Sequence, residues 1–117
     1  MGDQIAASRD NAPPLLPGTL DMLVLKALVA GAKHGYGIAT HLSERSEQFL
    51  RVGESSLYPA LQRLLLDGYV KAEWGTSENN RRARYYTLTA AGRKQLAVER
   101  DEFDRVIMAI HKVLNTA

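Results

Sequence analysis

The chain contains no cysteine, has no long apolar run and carries almost no excess charge. Its 117 residues include four Pro and 7% aromatic residues, and Lys+Arg exceed Asp+Glu by 15 to 13. Without cysteine the chain can form no disulfide, no Cys-ligated zinc site and no thiol nucleophile. No apolar run approaches the roughly 18 to 20 residues that a membrane span requires, so we expect no membrane partner.

The rest of the composition is that of an ordinary globular domain. Hydrophobic residues make up 45% and charged residues 24% of the chain, and the length suits a single domain. Residues 1–17 show no basic start followed by an apolar stretch, so we expect no secretory signal and a cytoplasmic location. They also lack periodicity and end in prolines, which predicts a flexible N-terminal arm.

The small net charge of +2 is unevenly distributed along the chain. Residues 51–95 contain eight basic and four acidic residues, a net charge of +4, whereas residues 1–50 and 96–117 each carry a net charge of −1. A basic middle segment is the electrostatic footprint expected of a protein that binds a polyanion.

Apolar spacing predicts two helices in the first half of the chain. A helical face over Leu20–Leu28 indicates the first, with Thr19 as its N-cap and Gly31 as its end. The second is expected from about Tyr36 to Ser46. Its inward residues are predicted to be Tyr36, Ala39 and Leu42.

The third helix is expected to begin near Ser55 or Ser56, either of which can cap it, with Pro59 in the first turn. Gly68 should end it with a positive φ. The buried stripe is predicted to be Leu57, Leu61, Leu64 and Leu65. The opposite side is predicted to carry Ser55, Ser56, Pro59, Gln62 and Arg63, with Tyr58 at its edge and Leu66 also pointing outward.

Two strands and a last helix complete the predicted elements. Alternation over Tyr69–Trp74 and Arg84–Leu88 indicates a hairpin whose long tip, Gly75–Ala83, is polar and basic. Thr89 is expected to cap a long last helix, the single C-terminal helix of the chain. Its apolar stripe comprises Leu96, Phe103, Val106, Ile107, Ile110, Val113 and Leu114. A terminal helix with seven apolar positions and little of its own domain left to cover predicts a seam between two copies of the chain.

Three helices followed by a hairpin and a further helix predict a mainly α fold with a small β-hairpin, a winged helix-turn-helix with a C-terminal dimerisation helix. In that fold the third helix enters the DNA major groove and the hairpin tip reaches the backbone or minor groove. The outward residues Ser55, Ser56, Tyr58, Gln62 and Arg63 are donors that suit base edges and phosphates. The arginines Arg81, Arg82 and Arg84 suit a narrow minor groove.

Four motifs also carry a family resemblance. They are Leu16-Pro17-Gly18-Thr19-Leu20, His34-Gly35-Tyr36-Gly37-Ile38, Ser56-Leu57-Tyr58-Pro59-Ala60-Leu61 with Gly68-Tyr69-Val70, and Arg84-Tyr85-Tyr86-Thr87-Leu88-Thr89 with Gly92. In this order and spacing they resemble the PadR family of bacterial transcriptional regulators over about residues 15–115. The resemblance implies a homodimer that binds palindromic operator DNA, usually as a repressor, sometimes with a small-molecule effector. It also matches Ser55, Ser56, Tyr58, Pro59 and Arg63 to the recognition helix and the three arginines to the wing.

The resulting domain prediction is an arm at 1–17, a winged-helix domain at 18–90 and a dimerisation helix at 91–117. The chain has no phosphate-binding Gly-rich loop and no G-x-S-x-G motif, so we expect no enzyme and no cofactor. Its three histidines have no metal-ligand spacing. The alternative hypothesis is a winged-helix module that binds another protein instead of DNA.

Overall fold

The computed structural model describes residues 18–117, so the expected arm at residues 1–17 lies outside the described residues. Within this part of the chain the secondary structure is mostly helical. In chain order the elements are α1 (Thr19–Ala27), a 3₁₀ turn (Leu28–Ala30), β1 (Lys33–His34), α2 (Gly35–Arg45), α3 (Glu54–Leu66), β2 (Val70–Thr76), β3 (Arg82–Leu88) and α4 (Ala90–Leu114). The predicted order of three helices, a hairpin and a last helix is confirmed, and the fold is a winged helix.

The sheet contains one strand that the sequence did not predict. Strands β2 and β3 pair antiparallel from Val70↔Leu88 to Thr76↔Arg82. The two-residue strand β1 adds to the other edge of β3, with His34 opposite Tyr85. Two residues are too short a segment to show an alternating pattern. This strand connects the start of α2 directly to the hairpin.

The core lies between the three short helices and one face of the sheet. Helix α3 buries Leu57, Leu61 and Leu64 as predicted, together with Ala60, while Leu65 is half-buried and Leu66 is exposed. The remaining buried core residues are Val24, Leu25, Ala27, Leu28, Ile38, Leu42, Val70, Tyr86 and Leu88. In α1 the buried face is centred nearer Leu25 than the predicted face over Leu20–Leu28. Leu20 and Leu23 are therefore only partly buried.

Tyr36 does not belong to this core, and the prediction that it faces inward is wrong. Its side chain is 79% exposed, whereas Ile38 and Leu42 are buried. The i, i+4 pair Ile38 and Leu42 defines the buried face of α2, and a residue two positions before Ile38 lies about 200° around the helix from it. Tyr36 therefore points to solvent from the first turn of α2.

The helix starts differ from the predicted caps in two of three cases. Gly18, with φ +88°, and Gly53 occupy the N-cap positions of α1 and α3, so Thr19 and the two serines are not the caps. Ser55 and Ser56 instead lie inside the first turn of α3, and both are exposed. Thr89 caps α4 as predicted, because its hydroxyl oxygen accepts a hydrogen bond from the Gly92 N–H at 3.0 Å. At the other end of α3, Gly68 has the predicted positive φ, +77°.

The start of α4 lies directly against the backbone that follows α3. The Thr89 N–H donates to the Tyr69 carbonyl at 3.1 Å. A Cβ placed on Gly92 would lie 2.1 Å from the same carbonyl oxygen and 2.8 Å from Leu88 Cδ1. Gly92 is therefore required by close packing between α4 and the end of α3.

Substituting Gly92 by Ala should lower the free energy of unfolding by about 2 kcal/mol. The added methyl group forces a backbone shift, and overpacking of this kind costs about 1–3 kcal/mol, more than the helix propensity of Ala returns. Urea unfolding followed by circular dichroism measures the change. Gly53→Ala is the control, because a Cβ there meets open space. An equal effect of the two substitutions would contradict the role of close packing at Gly92.

Candidate nucleic-acid interface

One face of α3 presents polar side chains to solvent. Opposite the buried leucines, the predicted residues Ser55, Ser56, Pro59, Gln62 and Arg63 are all exposed, and Tyr58 is 46% exposed. The two hydroxyls lie in the first turn, where the helix dipole is positive, and the Ser56 N–H donates to the Gly53 carbonyl at 3.1 Å. The first residue of α3, Glu54, is acidic. The face therefore offers neutral donors near the helix start and a guanidinium nearer its end.

Pro59 lies deeper in α3 than predicted. The helix begins at Glu54, so Pro59 lies in the interior of the helix, after its first turn. The prediction that Pro59 lies in the first turn is wrong because the chain is already helical five residues earlier. Since proline has no N–H, it cannot donate the hydrogen bond to the carbonyl four residues before it, which belongs to Ser55.

Tyr58 connects α3 to α2. Its hydroxyl oxygen lies 2.8 Å and its ring edge 3.1 Å from where a Cβ on Gly35 would be. Only glycine at position 35 permits this approach, so Tyr58 contributes to packing as well as to the exposed face.

Arg63 is held by an ion pair that the sequence did not predict. Its NH2 nitrogen lies 2.7 Å from Asp21 Oδ1 and its Nε lies 3.3 Å from Oδ2, so that α3 is joined to α1 by a two-point contact. The hydrogen bond and the charge of Asp21 raise the pKa of Arg63 above its ordinary value. The Arg63 side chain remains 56% exposed, and the guanidinium has further N–H groups that can reach a ligand.

The hairpin, which we call the wing, has a shorter tip than predicted. Strands β2 and β3 extend to Thr76 and Arg82, which leaves only the turn 77–81 between them. The turn is closed by hydrogen bonds from the Ser77 N–H to the Arg81 carbonyl at 2.8 Å and from the Asn80 N–H to the Ser77 carbonyl at 2.9 Å. Of the three predicted arginines, Arg81 is in the turn and Arg84 is on β3 as predicted, whereas Arg82, which was expected in the tip, also lies on β3.

Two wing arginines lie over aromatic rings. The pairing register places Trp74, Arg82 and Arg84 on the same face of the wing as the buried residues Val70 and Tyr86; we call this the inner face. The guanidinium carbon of Arg82 is 4.4 Å from the centroid of the Trp74 ring, and that of Arg84 is 5.9 Å from the centroid of Tyr86. Burial raises the pKa of the Tyr86 phenol, and the nearby Arg84 opposes this shift.

His34 links the wing to α2. Its Nδ1 accepts a hydrogen bond from the Gly37 N–H at 3.0 Å and so caps α2, which leaves Nε2 toward Glu78 Oε1 at 3.6 Å. The ring also packs near Tyr85, with centroids 5.2 Å apart. Glu78 is fully exposed, and its pKa is lowered by a backbone hydrogen bond within the residue and by His34. Through this contact Glu78, the one acidic residue of the turn 77–81, faces the start of α2.

A groove of about 680 Å³ separates α3 and the start of α2 from the wing. It is lined by Tyr36 and Tyr58 on one side and by Trp74, Arg81, Arg82 and Arg84 on the other, where the acidic Glu78 also lines it. The structure thus brings the predicted wing arginines and Tyr58 together, and it adds Tyr36 and Trp74. The hairpin register could have placed Trp74 on this face, since it alternates with Val70 and Ala72. The sequence contained no signal for the exposure of Tyr36.

Helix α4 packs on α1 and has the extent that the Thr89 cap and the apolar stripe to Leu114 predict. It has 25 residues, about 37 Å at 1.5 Å per residue. Leu96 packs against the hydrophobic core, and Phe103 and Ile107 are half-buried. The remaining residues of the stripe are strongly exposed: Val106, Ile110, Val113 and Leu114. A single copy of the chain therefore leaves the second half of this apolar stripe uncovered.

Other kinds of site find no support in the described part of the chain. Residues 18–117 contain no group of three His, Asp or Glu side chains that could hold a metal ion. Among the helices of this same segment, none is both long and apolar enough to cross a membrane.

Known proteins resemble the chain in both sequence and structure. The model of the transcriptional regulator PadR-like family matches residues 24–98. A transcriptional regulator from Clostridium thermocellum is 29% identical, with a TM-score of 0.74 over 81% of this chain and 92% of its own. The negative transcriptional regulator PadR of Bacillus subtilis (strain 168) is 29% identical over 77 residues, which are 66% of this chain and 42% of that protein. A structure of Bacillus subtilis PadR in complex with operator DNA matches with 28% identity and a TM-score of 0.60, over 68% of this chain and 46% of that one.

Proposed function

This chain belongs to the transcriptional regulator PadR-like family, and we propose that it represses transcription by binding a palindromic operator as a homodimer. It is a DNA-binding transcriptional regulator and not an enzyme. The name of the Bacillus subtilis relative, a negative transcriptional regulator, supports repression. The operator complex of Bacillus subtilis PadR supports DNA as the partner. We also propose a cytoplasmic location, in the same compartment as the DNA that the chain binds.

The observation that carries the proposal is the groove between α3 and the wing. Its two sides present Tyr58 from α3 and the arginines Arg81, Arg82 and Arg84 from the wing. A rigid helix beside a basic hairpin is the arrangement that places one element in the major groove and the other on the adjacent backbone or minor groove.

Each predicted site residue takes a role in this proposal. Ser55, Ser56, Gln62 and Arg63 contact base edges or phosphates from the exposed face of α3, and Tyr58 and Pro59 shape that face. The three arginines contact the phosphate backbone or enter the minor groove. Residues 18–90 form the DNA-binding unit, and residues 91–117 form the dimerisation helix.

The homodimer is supported by the exposed part of α4. We define the dimer seam as Phe103, Val106, Ile107, Ile110, Val113 and Leu114, and we assign Leu96 to the core of its own domain because it packs there. Exposed apolar residues on one continuous helix face are typical of a protein–protein contact. Two copies joined through equivalent faces have twofold symmetry, which a palindromic operator matches.

A mobility shift on the DNA upstream of the protein's own gene tests the proposed function. We expect a complex that persists at moderate salt, weakens steeply as salt is raised and is strongly weakened in the Arg81→Ala, Arg82→Ala double variant. If the chain instead binds another protein through the same groove, the wild type will show no salt-dependent DNA complex. That result would reject the proposed function.

Arg63→Ala should weaken operator binding about tenfold, because a dimer loses two charged donors to DNA. Asp21→Asn should not weaken it, since it removes only the competing carboxylate charge. Both substitutions should change the free energy of unfolding by less than about 1 kcal/mol, because the ion pair is largely exposed. Fluorescence anisotropy with operator and random duplexes measures the affinities. Equal losses in both variants would show that Arg63 acts only as a link to α1.

A further inference from the structure

Trp74 is an exposed aromatic residue that the core does not explain. It is the only tryptophan of the chain, and 59% of it is accessible to solvent. Large aromatic side chains are favoured where one face packs and the other meets a partner. On the inner face of the wing, Tyr86 is the last buried residue toward the tip, and it pairs with Ala72. Trp74 is the next residue of β2 on that face, so it lies outside the core but still lines the groove.

The side chain that lies over the Trp74 ring in the groove is that of Arg82. Thr76 pairs with Arg82 and Trp74 pairs with Arg84, so Trp74 and Arg82 are diagonal neighbours on adjacent strands. Side chains as long as these reach each other across that diagonal. The distance of 4.4 Å from the guanidinium carbon to the ring centroid is within the range of a cation–π contact.

This contact has a specific consequence for an arginine that binds DNA. A free arginine side chain loses much rotamer freedom when it is fixed on a phosphate, and that loss weakens binding. A guanidinium stacked on a ring face is already restricted, yet its N–H groups at the edge remain available for phosphate oxygens. The indole therefore pre-orders Arg82 in the free protein.

We infer that Trp74 is a positioning residue that holds Arg82 in place for a phosphate contact at the groove. The inference rests on the proposed function, and it deepens that function by assigning to the wing a residue that need not touch DNA itself. Loss of the ring should weaken operator binding about two- to fivefold for each wing, or about four- to twenty-five-fold for a homodimer that uses two wings.

The test compares Trp74→Leu, Trp74→Phe, Arg82→Ala and the Trp74→Leu, Arg82→Ala double variant by anisotropy on the upstream DNA over a range of salt. Trp74→Leu should weaken binding about tenfold. Trp74→Phe should restore most of the affinity, because phenylalanine keeps an aromatic face. In the Arg82→Ala background the loss of the ring should have no further effect.

The salt dependence separates positioning from a direct contact. Arg82→Ala should reduce the slope of log K against log salt by about 0.9 for each wing, since one phosphate per wing is no longer neutralised. Trp74→Leu should leave the slope unchanged, because Arg82 still reaches its phosphate. Wild-type affinity in Trp74→Leu, or independent effects in the double variant, would overturn the inference while the proposed function stands. Failure of the wild type itself to bind DNA would reject the proposed function instead.

Discussion

Replacing Ile107 and Ile110 by glutamate should yield a monomer whose operator affinity is at least about 100-fold lower than that of the wild type. Ile107 is half-buried and Ile110 is 43% exposed in the single chain, so both lie where the uncovered part of the α4 stripe begins. Four glutamates brought together in a dimer would be desolvated without partners, which costs several kcal/mol. Because linked half-site binding strengthens affinity by about 10² to 10⁴, a monomer loses that factor.

Sedimentation velocity and anisotropy on the same samples check this prediction. The matched control is Val98→Glu with Met108→Glu, which adds the same charges to α4 at exposed positions away from the dimer seam. The control should remain a dimer and bind as the wild type does. Since glutamate at half-buried Ile107 also affects the chain's own domain, Val113→Glu with Leu114→Glu serves as a second pair at exposed positions. A dimer in both seam variants would reject the seam.

The Arg81→Ala, Arg82→Ala double variant should bind the operator roughly 100- to 1,000-fold more weakly at moderate salt. A dimer loses four guanidiniums at the wings, and an exposed contact between opposite charges contributes up to about 1 kcal/mol, so the four together contribute up to about 4 kcal/mol. The slope of log K against log salt should fall by about 3 to 4, near 0.9 for each phosphate that is no longer neutralised. The fold should be unaffected, because both side chains are exposed and lie at the end of the wing.

The control for this variant removes the same charge from another part of the basic segment. Arg93 and Lys94 are exposed at the start of α4, outside α3 and the wing. Arg93→Ala with Lys94→Ala should change the affinity less than about tenfold. If the two double variants lose affinity to the same extent, net charge and not the wing accounts for DNA binding.

The sequence predicted well those features that depend on local spacing. The leucine stripe of α3, the outward Leu66, the Thr89 cap and the positive φ of Gly68 all follow from helical periodicity or from the chemistry of a single residue type. The exposed polar face of α3 follows from the same periodicity, because residues opposite a buried stripe must face solvent.

The features that the sequence did not predict depend on contacts between distant segments. The ion pair of Arg63 with Asp21 spans 42 residues, and the His34 contact with Glu78 joins α2 to the wing. Strand β1 exists only because β3 offers it an edge. The sequence predicts Tyr36, Ala39 and Leu42 as the inward residues of α2, but packing within the core selects Ile38 and Leu42.

A footprint of the purified protein on the DNA upstream of its own gene tests the central claim most directly. We expect two protected half-sites related by a twofold axis, with centres about 10 base pairs or a multiple of that apart, and protection that disappears in the Arg81→Ala, Arg82→Ala variant. A single unpaired half-site would contradict the homodimer. If no DNA is protected at protein concentrations too low for non-specific binding, operator binding itself is contradicted.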